Sequence, residues 1–173
     1  MTKRLLAIGK SHRLIRNETG GALAEFAILV PFLVVMLAAV SEVGRFYQSY
    51  TTLSKSTRAA ARYLSSHQFN DLEKGRAKNL VVCGKLTCAD GDELVQGLSV
   101  NNVCIETTLT PSATVETVTV SIPRQETVTC DAGEAATWLR HRPIFDIGAL
   151  LHNSFTLRYP FNPSTTMRYI PAN

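Results

Sequence analysis

Beyond its first 20 residues this 173-residue sequence carries no net charge. Five of its 18 basic residues (Lys3, Arg4, Lys10, Arg13 and Arg16) and one of its 14 acidic residues, Glu18, lie before residue 21. That leaves 13 of each sign for the rest of the chain. Phosphate binding needs clustered Lys and Arg, so a body without a basic excess argues against a nucleic-acid partner. A Gly-x-Ser-x-Gly turn is missing, and so is a phosphate-binding glycine loop. Neither His141 nor His152 has a serine or cysteine beside it in a nucleophile setting, so no enzymatic activity is expected. The spacer between Cys83 and Cys88 is tolerable for zinc, but there is no second close cysteine pair and no His-x-His cluster, which disfavours a zinc site. Asp90, Asp92 and Glu93 fail the EF-hand pattern, because Gly91 falls among the ligand positions and no glutamate stands at the twelfth. A solvated turn is expected there, and no metal or cofactor. Trp138, the single tryptophan, is expected in the core.

What is present is a membrane-length apolar run. Ala22–Val40 holds 19 residues with one charge, Glu25. As a helix it spans roughly 28 Å, close to the hydrocarbon thickness of a bilayer. The basic block precedes it, and positive charge is retained on the cytoplasmic side, so the N-terminus is expected inside and the bulk of the chain outside. A cleaved secretory signal is the competing reading, with a mature start near Ser41. The run is longer than the usual 7–15-residue signal core, and an acid at its start does nothing for a signal peptide. Glu25 is the anomaly of the run. A carboxylate there costs about 2–3 kcal/mol at mid-bilayer and less near the edge. It is either solvated at headgroup level or paired with a cation in an assembly, such as an α-amino group made by cleavage just upstream.

The stretch Gly20-Gly21-Ala22-Leu23-Ala24-Glu25-Phe26 resembles the processing site of type IV-like pilins and pseudopilins. More widely, Ala22, Glu25-Phe26-Ala27, Pro31, Leu33, Glu42, Gly44-Arg45 and Arg58 to Arg62 follow the order and spacing of the TadE-like family of the tight-adherence (Tad) pilus system. The resemblance covers about a quarter of the chain. It implies a prepilin peptidase cut between Gly20 and Gly21, which makes Glu25 the fifth mature residue. It also implies that Glu25, with Phe26 and Pro31, registers subunits during assembly. Major Tad pilins end shortly after the helix, and this chain continues, which points to a minor pilin, pseudopilin or assembly component acting in initiation, capping or assembly. The implied partners are the inner membrane, other pilin or pseudopilin subunits, the Tad inner-membrane assembly platform and the prepilin peptidase. The implied location is the inner membrane, single-pass, with the C-terminal part periplasmic or carried into a cell-surface pilus.

Helical periodicity continues past the run. Tyr47, Tyr50, Leu53, Thr57, Ala60, Ala61 and Leu64 recur every three or four residues, while Lys55, Arg58 and Arg62 share another face. Tyr47, Tyr50 and Leu53 are candidates for a helix interface, with the chain's own domain or with neighbouring subunits. Pro31 removes one helix hydrogen bond and is expected to kink the helix. Glu42 and Arg45, three apart, are expected to form a local ion pair. Asn70 and Glu73 suggest a capping box for a short helix to about Val82. Alternation at Val103–Leu109 and Val118–Ile122 predicts two strands around the turn Thr110-Pro111-Ser112. Asp131 and Glu134 suggest the cap of a helix over Ala135–His141. Phe155, Leu157 and Tyr159 alternate again, with Met167–Ile170 as a final strand across the Pro160–Pro163 turn.

The organisation expected is a basic leader (1–20), a long helix (21–67) with a transmembrane segment over about 22–44, and an extracytoplasmic domain (68–173). The fold class is α+β, with three to five antiparallel strands and short helices. Cys83, Cys88, Cys104 and Cys130 all lie in that domain, and an even count in an oxidising compartment reads as two disulfides. Three pairings are open. Cys83–Cys88 with Cys104–Cys130 is favoured, joining one short loop and linking the first strand to the segment before the predicted helix. The alternative to a pilus role is a membrane-anchored periplasmic binding or enzymatic domain whose helix is only a tether.

Overall fold

The structure, a computed structural model, describes residues 18–111, 114–130, 133–145 and 158–170. The chain divides into two compact units at Ala38/Ala39. The predicted leader up to residue 17, Ser112, Asp131, His152, Phe155 and Leu157 lie outside the described residues.

Helix α1 (Glu18–Ser66) runs 49 residues and stays helical through Pro31. Pro31 has no N–H, so the carbonyl of Ala27 loses its usual donor. In the first unit the helix exposes Leu23, Phe26, Ile28, Leu29, Phe32 and Leu33, and none of its most apolar stretch is buried by protein. Such a helix is long and apolar enough to cross a membrane.

In the second unit the same helix has a different character. Leu53, Thr57, Ala60, Ala61 and Leu64 are fully buried. Their i, i+4, i+7, i+8, i+11 spacing puts them on one face. The small side chains at positions 57, 60 and 61 let neighbouring elements come close. Lys55, Arg58 and Arg62 stay exposed on the other side.

Helix α2 (Asp71–Cys83) is N-capped by Asn70, whose side chain accepts from the Glu73 N–H at 2.8 Å. The reciprocal half of the expected capping box is replaced. Glu73 turns instead to Tyr63 of α1, whose hydroxyl donates to it, and to Arg76 at 2.8 Å. Gly84 ends the helix at φ +71, donating its N–H to the Leu80 carbonyl. Ala77 and Val81 of α2 join the core.

Two strands match the expected alternation: β1 (Cys104–Leu109) and β2 (Val115–Ser121), antiparallel with Cys104 opposite Ser121 and an irregularity at Thr108/Leu109. A two-stranded sheet pairs β3 (Thr127–Thr129) with β4 (Ala135–Thr137). The helix expected over Ala135–His141 is therefore a strand where it begins. Val128 opposite Ala136 supplies a cross-strand pair in place of helical bonds. The last strand, β5 (Ser164–Arg168), starts earlier than expected and pairs with β2, Val118 facing Met167. Among the described residues before it, Pro160 forms an isolated bridge with Arg140. The larger sheet thus has the order β1-β2-β5. Val118 and Val120 point into the core. On the opposite face Thr108 bonds Thr117 at 2.6 Å and Thr119 bonds Thr166 at 2.8 Å.

Two disulfides join Cys83 to Cys88 and Cys104 to Cys130. The first closes the loop after α2. The second ties the start of β1 to the residue after β3.

Candidate functional site

In the first unit the residues that the sequence singles out lie on one uninterrupted helix. Gly20 and Gly21 stand in open space, where an added methyl group would meet nothing within 4 Å. Glu25 is exposed among Leu23, Phe26 and Ile28. Among the described residues no hydrogen bond or ion pair within the chain involves Glu25.

In the second unit the feature that dominates is Glu42. It is 2% exposed, although it lies only two residues after the apolar run. Its Oε1 accepts the backbone N–H of Ile144 at 2.8 Å and of Phe145 at 3.1 Å. Its Oε2 stands 3.2 Å from Nε2 of His141, itself 6% exposed. An ionised carboxylate only accepts, so the imidazole Nε2 is the donor. The local ion pair expected with Arg45 is present only as a 3.8 Å approach to the already occupied Oε1. Burial decides the difference. A carboxylate out of water needs close, directed donors, and two backbone N–H groups and an imidazole supply them better than a half-exposed guanidinium.

Phe46, one turn on from Glu42, completes the site. Its ring stacks on Phe161 with centroids 5.1 Å apart and meets the edge of His141 at 5.6 Å. Phe161 is 1% exposed and the largest fully buried side chain among the described residues. The helix is therefore fastened to His141, Ile144, Phe145 and Phe161 by an apolar stack with a polar clamp at its edge. The transmembrane segment expected to reach residue 44 overlaps this folded unit, which begins at Ala39.

The remaining candidates separate. Leu53 is fully buried in the core of its own domain, Tyr50 is 40% exposed beside Phe46, and Tyr47 is 68% exposed. Trp138, expected in the core, is half-buried at the surface with the Arg140 guanidinium 4.4 Å over its ring. Leu139 and Phe161 fill the core there instead. Asp92 pairs with Lys85 at 2.8 Å, and that pairing holds its carboxyl below the usual range. No group of three or more potential metal ligands occurs among the described residues.

Sequence reasoning missed Glu42 and His141 as a pair. A signal was available for the first. Carrying the buried stripe back from Leu53 by seven and eleven residues lands on Phe46 and Glu42, so Glu42 sits on the core-facing side. Nothing in the sequence points to His141.

No curated protein and no solved structure matches the chain. Its helix is a different matter: residues 20–62, a stretch that holds Glu25, Pro31 and Glu42 and ends within α1, match the family model described as TadE-like protein.

Proposed function

We propose that this chain is a minor pilin, pseudopilin or assembly component of a Tad pilus. The first part of α1 lies in the inner membrane and the disulfide-bonded domain lies on the periplasmic side. A prepilin peptidase removes the residues up to Gly20. The new α-amino group of Gly21 on one subunit then meets Glu25 of another, setting the register of the helices as the pilus starts, grows or is capped.

The match over residues 20–62 carries the proposal. The TadE-like family is a pilus-associated family and not an enzyme family. Three physical features support the finer reading. Glu25 is exposed on an apolar helix face, where an unpaired charge is costly in lipid and a cation from a second chain offsets that cost. The helix continues directly into a folded domain, with Glu42 clamping its outer turns. Both disulfides belong in an oxidising compartment.

The test of processing is intact mass of the chain produced with and without a prepilin peptidase. The proposal expects loss of residues 1–20 only when the peptidase is present. A chain that keeps them under both conditions removes cleavage from the account.

A further inference from the structure

Beside the Glu42 clamp the second unit carries a groove of about 590 Å³ whose walls include Trp138, Arg140, Arg142 and Arg158. An adjoining hollow shares Arg140 and Arg142 and adds Arg45. No Asp or Glu lines either of them among the described residues. All four arginines are exposed. Arg140 is held in place over the Trp138 ring. Planar guanidiniums grouped in this way fit phosphate oxygens, which they bind through paired N–H donors.

The neighbouring surface is apolar. Val43 is 60% exposed, Ile144 67%, Phe145 57% and Tyr159 61%. Ile144 and Phe145 are fixed by their N–H bonds to Glu42. Arginines beside an aromatic and aliphatic rim are the composition that settles at a membrane–water interface. The position along the helix agrees. The apolar run ends at Val40, and Val43 and Arg45 follow within five residues of α1. That is a rise of about 7.5 Å, roughly one headgroup layer.

We propose that this face seats the folded unit on the bilayer. Arg45, Arg140 and Arg142 bind the phosphates of anionic phospholipid headgroups, and the rim of Val43, Ile144, Phe145 and Tyr159 enters the interface. A lipid is the occupant rather than a soluble anion, because a soluble anion leaves the apolar rim in water. This inference rests on the membrane-inserted reading given above.

Trp138 is the only tryptophan and lines the groove, so it reports directly. The full chain is placed at low density in phosphatidylglycerol or phosphatidylcholine vesicles, with and without brominated acyl chains that quench nearby indoles. Emission is taken as a ratio between brominated and plain lipid for each variant, which cancels changes in Trp138's own brightness. The expected result is quenching in phosphatidylglycerol that weakens on the order of twofold in phosphatidylcholine, as loss of the anionic attraction requires. R140Q/R142Q weakens it similarly, with circular dichroism unchanged. Equal quenching in the two lipids, or none in either, overturns the inference. Quenching that rises with protein density overturns it in favour of a second copy of the chain. A Trp138 response to millimolar inorganic phosphate in detergent overturns it in favour of a soluble anion. Carbonate washing is done in parallel. A chain stripped from the vesicles by carbonate defeats the membrane-inserted reading itself, and this inference with it.

Discussion

Glu42 and His141 are 99 residues apart in sequence, yet Oε2 of the first lies 3.2 Å from Nε2 of the second inside the folded unit. The other oxygen of Glu42 holds two consecutive backbone N–H groups, those of Ile144 and Phe145. One side chain on the helix therefore fixes the path of a distant loop. This makes Glu42 a joint between the helix and the domain that it carries.

Replacing Glu42 with alanine leaves two backbone donors and an imidazole without their acceptor. Each unmet buried donor costs about 1–3 kcal/mol, but Ile144 and Phe145 are exposed enough for water to meet part of the need, so E42A is expected to destabilise the domain by roughly 2–4 kcal/mol. E42Q keeps an oxygen for the two N–H groups and is expected to cost less than half as much. Denaturant unfolding of the detergent-solubilised chain measures both. Equal losses for the two variants would show that the acceptor oxygen is not what matters.

Along the helix, Leu53 and Tyr47 are expected to behave in opposite ways. Leu53 is fully buried, and L53A should cost about 2–5 kcal/mol of domain stability. Tyr47 is exposed, and Y47A should stay within about 0.5 kcal/mol. If Tyr47 packs against another subunit, Y47A still lowers the yield of assembled pili. Unfolding curves and pilus yield, read together for each variant, separate the two roles.

The Tyr63 hydroxyl donates to Glu73, and that bond, aided by burial, raises the phenol pKa above its ordinary value. The folded state thus favours neutral tyrosine. Its contribution is complete below the unfolded value of about 10 and is lost as pH rises through the raised folded value. Y63F is expected to cost about 1.5–3 kcal/mol near neutrality, the worth of a hydrogen bond to a charged group. It should also flatten the alkaline limb of the stability–pH curve. An unchanged limb in Y63F would assign that limb to other groups.

The two disulfides are expected to contribute unequally. Loop-closure entropy predicts about 3.5 kcal/mol for Cys104–Cys130, with a separation of 26, and about 2 kcal/mol for Cys83–Cys88, with a separation of 5. Paired alanine variants, C104A/C130A and C83A/C88A, measure the difference by chemical denaturation. The reverse order would place strain or denatured-state structure above loop length.

Local signals carried the sequence reading furthest. The long helix, the Asn70 cap and the alternation in β1 and β2 depend on neighbours a few residues apart, and each could be read from spacing. The failures share one cause. Ala135–Thr137 has residues compatible with a helix, but it pairs with β3. Ser164–Arg168 joined β2, across more than 40 residues. Trp138 lost its expected core place to Phe161, and Glu42 found its partners a hundred residues away. These outcomes are set by tertiary pairing, which periodicity does not encode. Glu25 is the reverse case. Its anomaly was plain in the sequence, and the proposed assembly role gives it a partner on a second chain.

Glu25 therefore provides the most direct test of the assembly role. E25L removes the charge from an apolar helix and should leave membrane insertion intact or improve it. The measurement is the amount of this protein in sheared pili and in membranes, together with total pilus yield, in cells carrying E25L. The account predicts a membrane fraction at the normal level with pili lost or strongly reduced. Normal pili in E25L cells would contradict it and leave the helix as no more than an anchor.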